Sequence, residues 1–352
     1  MFTLTGLTNP ESAELLGDGE TIVFGNCTMV AGLPFFLDGL PMPVYVDGSA
    51  FVGRARITSV GVEMAQERLV SGLTSALGID VLPKATAQFP AGTVFIATGG
   101  RPIVDKSRTQ LISDPQVVRP QALGFDAQTG EVRGRIPLWA GSPLAAKFNF
   151  LDQPNGLAFD GEGNLYVTDI PNSNPVLGQP PPTPAAVYRI PFAALDRLAA
   201  LDGAAAEGVQ RILMPGSVNG VTAKYGAIFV VSCSRECPVG GGIYKLSAQD
   251  FAQGRLPPPI AQGLGILDGV GVTRRGTVLA SNPITGDVHA FTSAGEHLLV
   301  GAAGANAVGM PADINVCYPT RLGGEPALLV PDISVGRGPG EGKIVGLDLT
   351  GL

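Results

Sequence analysis

Histidine is nearly absent from this chain of 352 residues: there are two, His289 and His297. His289, in GDVHAF, falls on what reads as an outer strand, so a histidine base is not expected. Cysteine is also scarce. Four in a chain this long do not make a disulfide scaffold. The CxxxC of SCSRECP has no partner His or Cys nearby for zinc; reduced structural thiols are expected, with a local Cys233–Cys237 bridge as the alternative. Charged residues make up 15%, the net charge is −7, and no basic stripe occurs, which excludes a nucleic-acid surface. No run approaches the roughly 18 apolar residues of a membrane span. The start, MFTLTGLTNPESAELL, lacks the basic flank and continuous apolar stretch of a signal peptide. A cytoplasmic enzyme or binding protein, with neither nucleic acid nor membrane as partner, is expected.

What is abundant is glycine (49) and proline (30), spread among short apolar runs, with 45% hydrophobic residues overall. A disordered chain is not so apolar. Evenly spaced turn residues between short apolar runs predict an all-β protein.

A unit recurs along the chain. DQPNGLAFDGEGNLYVTD (152–169) is echoed by VNGVTAKYGAIFVVSC (218–233), LDGVGVTRRGTVLASN (267–282) and PESAELLGDGETIVFGN (10–26). Each has a polar residue, a short run, a turn glycine and an apolar strand. Asn155 precedes Gly163, Asp268 precedes Gly276 and Glu11 precedes Gly19 by the same interval, and Asn219 stands one residue nearer to Gly226. Weaker copies lie at 77–100 and 312–333. Six units in this length predict one domain, 1–352, folded as a six-bladed β-propeller with four-stranded antiparallel blades. FTLTGL is expected to add a strand to the last blade and seal the ring. Outer strands are expected at 124–138, 186–195, 241–251, 286–300 and 342–352. The stretch 193–208 reads as a surface connection, with one or two helical turns as the alternative.

In each unit the downstream glycine makes the hairpin turn. The upstream Glu11, Asn155, Asn219 or Asp268 stands at the start of the innermost strand, facing the axis; a second turn is the plainer reading of any one of them. Two carboxylates and two amides form an all-oxygen set suited to Ca²⁺, and less to Zn²⁺, with Mn²⁺ and Mg²⁺ as further candidates. Asp80 in LGIDVLP, and Asp313 with Asn315 in PADINV, hold the matching places of the other units, as channel-lining or capping groups. Asp169 and Asn282, at the ends of second strands, read as structural hydrogen-bonding positions.

With PES, PNG, VNG and LDG in view, the chain resembles the six-bladed propellers of the SMP-30/gluconolactonase family, related to paraoxonases and diisopropylfluorophosphatase. The resemblance implies a channel-mouth divalent cation, usually Ca²⁺, on Glu11, Asn155, Asn219 and Asp268, with Asp268 and Asn219 catalytic. It departs from the family pattern at Gln153, where many sugar lactonases carry Arg, and at Ser12-Ala13, where Gly-Pro is usual; the paraoxonase histidine pair has no counterpart. Ring-ester hydrolysis of a small-molecule substrate is implied, with Gln153, Asp80, Asp313 and Asn315 as substrate-side candidates. Asp268 is then base, nucleophile, or ligand that orients water. Phosphotriesterase-like, isomerising or ring-forming chemistry, or ligand binding around a structural Ca²⁺, are the alternatives on the same architecture. Specificity is expected from segments 37–53, 101–116 and 172–186, with Met42, Tyr45, Phe51, Leu111 and Val176 as pocket wall or as packing against the strands beneath.

Overall fold

The computed structural model describes residues 2–30, 36–37, 40–41, 44–100, 103–108, 110–112, 119–148, 153–170, 184–233, 240–301, 307–335 and 337–352. The described chain is mostly β, with seven four-stranded sheets. Six of these are antiparallel throughout and follow one another along the sequence. Their first strands are Asn9–Leu15, Ile79–Val81, Pro154–Phe159, Ser217–Lys224, Val270–Val272 and Asn315–Cys317. Each continues through a second and third strand to an outer edge. The sixth sheet takes its fourth strand from the other end of the chain: Phe2–Leu7 pairs antiparallel with Gly342–Asp348, as FTLTGL predicted.

The strand pattern follows from which faces are covered. Second strands such as Leu165–Asp169, Val278–Asn282 and Ala327–Asp332 are buried on both faces, and each opens as an apolar run and ends on a polar residue. Third strands such as Asp287–Phe291 alternate buried and half-buried residues. Much of the apolar core lies between neighbouring sheets: Phe2, Ile22, Phe24 and Ile344 join the sixth to the first, and Tyr166, Ile212, Val230 and Tyr244 the third to the fourth. The turn glycines behave as read, with Gly19, Gly163, Gly226 and Gly276 at φ 71°, 87°, 74° and 85°.

Neighbouring sheets touch in chain order, at or beside their first strands. Ser12 Oγ donates to the Leu77 carbonyl, and the Gly78 amide to the Asn155 carbonyl at 2.8 Å. Thr168 Oγ1 donates to the Asn219 carbonyl at 2.5 Å, and the Gly220 amide to the Asp268 carbonyl at 2.6 Å. Ser281 Oγ donates to the Ala312 carbonyl at 2.6 Å, and the Asp313 amide to the Glu11 carbonyl at 3.0 Å. The sixth contact returns to the first sheet. A narrow cavity is lined from all six first strands, by Ala13, Asp80, Leu157, Lys224, Val270 and Asn315 among others.

Two stretches differ from the sequence reading. Residues 193–208 are helical rather than a plain connection: a 3₁₀ turn at Phe192–Ala194, an α-helix at Leu195–Ala199 and a second 3₁₀ turn at Gly203–Gly208. Leu195, Leu198, Ala205 and Ala206 bury into the core there. Segments 37–53 and 101–116 are partly strand. Val44–Val46 pairs in parallel with Ile103–Val104, and Met29–Val30 and Leu111–Ile112 complete a seventh sheet. Phe51 packs into the core between the sixth and first sheets. Cys27 and Cys317 are free and buried. The Cys233–Cys237 question, Met42, Val176 and the Leu111 side chain lie outside the described residues. Among those described, no helix is long and apolar enough to cross a membrane.

Candidate functional site

The Asn-Gly of 155–156 is not a turn. The pairing of Pro154–Phe159 with its neighbour slips between Pro154 and Leu157, so Asn155 sits on a β-bulge. The same irregularity falls between Pro10 and Ser12, around Glu11, and between Val218 and Val221, around Asn219. A bulge turns a side chain out of the strand's alternation and re-aims it. Asp268 stands just before its strand, with its amide on the Ser281 carbonyl at 3.0 Å.

The glycines that follow have a different role from turn glycines. A Cβ on Gly156 would lie 2.7 Å from the Asn219 carbonyl oxygen, and one on Gly220 would lie 2.6 Å from that of Asp268. A Cβ on Gly269 would collide with the amide of Ile314. None of the three needs a positive φ. They are small because the next sheet's backbone is there.

Hydroxyls on the second strands fasten these bulges. Thr168 Oγ1 accepts the Gly156 amide at 2.7 Å, and Ser281 Oγ accepts the Gly269 amide at 2.8 Å, while each donates to the following sheet. One residue further on, Asp169 accepts the Gln153 amide at 2.8 Å and Asn282 the Ile284 amide at 3.0 Å. These are the structural hydrogen-bonding positions expected from the sequence. Asn26 and Asp332 serve the same way on the first and sixth sheets.

Glu11, Asn155 and Asp268 are buried and Asn219 is half-buried. Glu11 Oε2, Asn219 Oδ1 and Asp268 Oδ1 are buried oxygens that find no hydrogen-bond partner among the described residues. Burial, then the charges of Asp268 and Asp313, push the Glu11 carboxyl well above its usual range. Burial alone pushes Asp268 up to about 7. Glu11 and Asp268, 257 positions apart in sequence, are thus close enough to repel one another. Among the described residues, no three His, Cys, Asp or Glu side chains form a metal-binding group; any cation here would draw on the amide oxygens.

The substrate-side candidates separate. Gln153 is buried and hydrogen-bonds Tyr45, which the seventh sheet carries in from its own strand. Burial, followed by the charges of Glu11, Cys27 and Asp268, holds the Tyr45 phenol protonated, well above its usual range. Asp313 lies against Glu11, and burial and then Asp268 push it up. Asp80 accepts the Phe159 and Val81 amides at 2.7 and 2.8 Å, the capping role weighed for it. Asn315 reaches Glu14 and Lys224 instead of the four oxygens. Glu14 and Lys224 carried no sequence signal, since neither stands at the repeated position. The two histidines meet each other at the surface, Nδ1 of His289 to Nε2 of His297 at 3.0 Å.

No known family profile matches the chain, and no curated protein matches it in sequence. Solved structures do. A gluconolactonase from Xanthomonas campestris superposes with a TM-score of 0.53 at 18% identity, over 98% of this chain and 89% of the other. The chain has a gluconolactonase-like propeller fold. The PQQ-bound aldose sugar dehydrogenase of Streptomyces coelicolor gives 0.56 at 14% identity, over 99% and 96% of the two chains. A luciferin-regenerating enzyme gives 0.51 at 10%, over 98% and 93%. At such identities the likeness is one of fold, and the propeller carries more than one chemistry.

Proposed function

We propose that this chain is a six-bladed propeller, one domain sealed by its N-terminal strand, that hydrolyses a lactone or related cyclic ester at a divalent cation. The six successive contacts between neighbouring sheets support the closed ring. The observation that carries the site is the set of buried oxygens on Glu11, Asn219 and Asp268 that find no partner among the described residues. Buried polar atoms are almost always paired, and two buried carboxylates without a counter-charge are costly. A hard cation satisfies both needs, so the donor set fits Ca²⁺ held by Glu11, Asn155, Asn219 and Asp268, with water or substrate completing the shell.

When bound, such a cation supplies Lewis acidity to an ester carbonyl. The residues do the rest. Glu11 and Asn155 anchor, and their burial keeps bulk water from the reacting face. Asp268 orients the attacking water and takes its proton, or attacks directly, as the ester C–O bond opens to hydroxyl and carboxylate. Asn219 steadies the carbonyl end through its amide. Gln153 holds the Tyr45 hydroxyl over the same place, where it donates to a substrate oxygen.

The test is a panel of lactones varied in ring size, chain length and hydroxylation, assayed with chelator and after return of Ca²⁺, Mn²⁺ or Zn²⁺. Turnover that vanishes and returns supports the reading, and Asp268→Asn should then fold but lose about 10²-fold or more in kcat. Hydrolysis of phosphotriesters without any lactone opening would replace the ester class. No turnover of either, with Asp268→Asn altering only stability, would leave a ligand-binding propeller.

A further inference from the structure

The cavity lined from all six first strands holds one ammonium among several acids. Lys224 Nζ lies 3.6 Å from Glu14 Oε1 and 3.4 Å from Asn315 Oδ1, and the Asn315 amide donates to the other Glu14 oxygen. Asp80 and Asp313 also line the cavity, and Lys224 is its only basic residue among those described. These groups come from four different sheets. Glu14 is on the strand of Glu11, Lys224 on the strand of Asn219, Asp80 on the second sheet's first strand, and Asn315 is two residues beyond Asp313. Asp313 in turn donates its amide to the Glu11 carbonyl.

We propose that Lys224 is the resident cation of this cavity and a positioning residue for the site of the four oxygens. Its ammonium bonds Glu14 and Asn315 at once, and so ties the strand carrying Asn219 to the strand carrying Glu11 and to the segment of Asp313. The spacing between Glu11 and Asn219 is therefore set partly from this cavity. A buried carboxyl and a half-buried ammonium on strands of different sheets hold those strands in one register, because separating them leaves a charge unpaired. Lys224 is the one positive group among Glu14, Asp80 and Asp313; without it these acids face one another with no counter-charge, and the strand of Glu14 shifts.

The inference rests on the cation site proposed above, and one experiment separates the two. Ca²⁺ is titrated calorimetrically into the full chain, its Lys224→Met variant, and Lys84→Met, which removes the same charge from an exposed pair with Glu162. By Coulomb's law alone, deleting a positive charge near a cation site should tighten Ca²⁺ binding. A positioning role predicts the reverse: about 10–100-fold weaker binding for Lys224→Met, with Lys84→Met unchanged. Lys224→Arg keeps the charge and should bind within a few-fold of the parent. Lys224→Met should also melt about 5–10 °C lower. The double variant Glu14→Gln/Lys224→Met removes both charges, so its melting temperature should recover while Ca²⁺ binding stays weak. Unchanged or tighter binding in Lys224→Met, or in the double variant, overturns the positioning role and leaves the hydrolase standing. A parent protein that takes up no divalent cation sinks both.

Discussion

The amide of Gly220 donates to the carbonyl of Asp268 at 2.6 Å, joining two sheets at the point where two of the four oxygen-bearing residues stand. That contact exists because residue 220 has no side chain. Gly220→Ala would set a methyl 2.6 Å from that oxygen and 2.8 Å from the Gly269 Cα. A loss of about 1–3 kcal/mol is expected in urea unfolding, with Ca²⁺ affinity falling alongside. Gly17→Ala, which meets nothing within 4 Å, should stay within about 0.5 kcal/mol of the parent.

Ser281 tests the bridging hydroxyls. Its Oγ accepts from the Gly269 amide and donates to the Ala312 carbonyl, at 2.8 and 2.6 Å. Ser281→Ala leaves both buried backbone groups unpaired and should cost about 1–3 kcal/mol, read from the unfolding midpoint. Ser281→Thr, which keeps the hydroxyl, should recover part of the loss.

Tyr45 and Gln153 test the seventh sheet. Tyr45→Phe keeps the ring that packs in the core and removes only the hydroxyl. Its kcat on the best lactone should fall about tenfold, with the melting temperature nearly unchanged. Gln153→Leu, which leaves the phenol unheld, should fall in the same direction. Equal turnover in both variants would make the pair a packing contact.

Stability should fall more steeply with rising pH without a cation than with one. Burial raises Asp268 to about 7 and Glu11 well above its usual range, so the folded chain keeps protons that the unfolded chain releases. Their contribution is complete below the unfolded carboxyl pKa values, near 4, and is lost as pH rises through the folded ones. In chelator the melting temperature should therefore fall between about pH 5 and about pH 8. Ca²⁺ keeps both groups ionised when folded, so it should stabilise more at the upper pH. A smaller fall from Glu14, raised to about 8 by burial, should persist in calcium. Scanning calorimetry with and without chelator reads both slopes.

Much of this was legible in the sequence, because the repeat is local. The turn glycines Gly19, Gly163, Gly226 and Gly276 mark each hairpin, and Glu11, Asn155, Asn219 and Asp268 are found by counting back from them. What could not be read depends on contacts distant along the chain. Gly156 and Gly220 look like turn glycines until the next sheet's backbone is seen beside them. Lys224 is five residues after Asn219, which simple alternation puts on the opposite face, and the bulge between Val218 and Val221 breaks that count. Tyr45 was legible as pocket wall or packing, but its meeting with Gln153 was not, because it arrives on a three-residue strand paired in parallel with Ile103–Val104, too short for any periodic signal. The helix at Leu195–Ala199 is only the alternative reading of an alanine-rich run that reads first as a surface connection, until Leu195 and Leu198 are seen buried.

The central claim is that Glu11, Asn155, Asn219 and Asp268 hold one divalent cation between them. The most direct measurement is a crystal of the full chain soaked in Ca²⁺, with anomalous scattering to identify the ion. The account predicts a single strong peak with one oxygen of each of the four side chains at about 2.3–2.6 Å. An ion bound elsewhere, or Glu11 and Asp268 facing each other across nothing but water at saturating calcium, would contradict it.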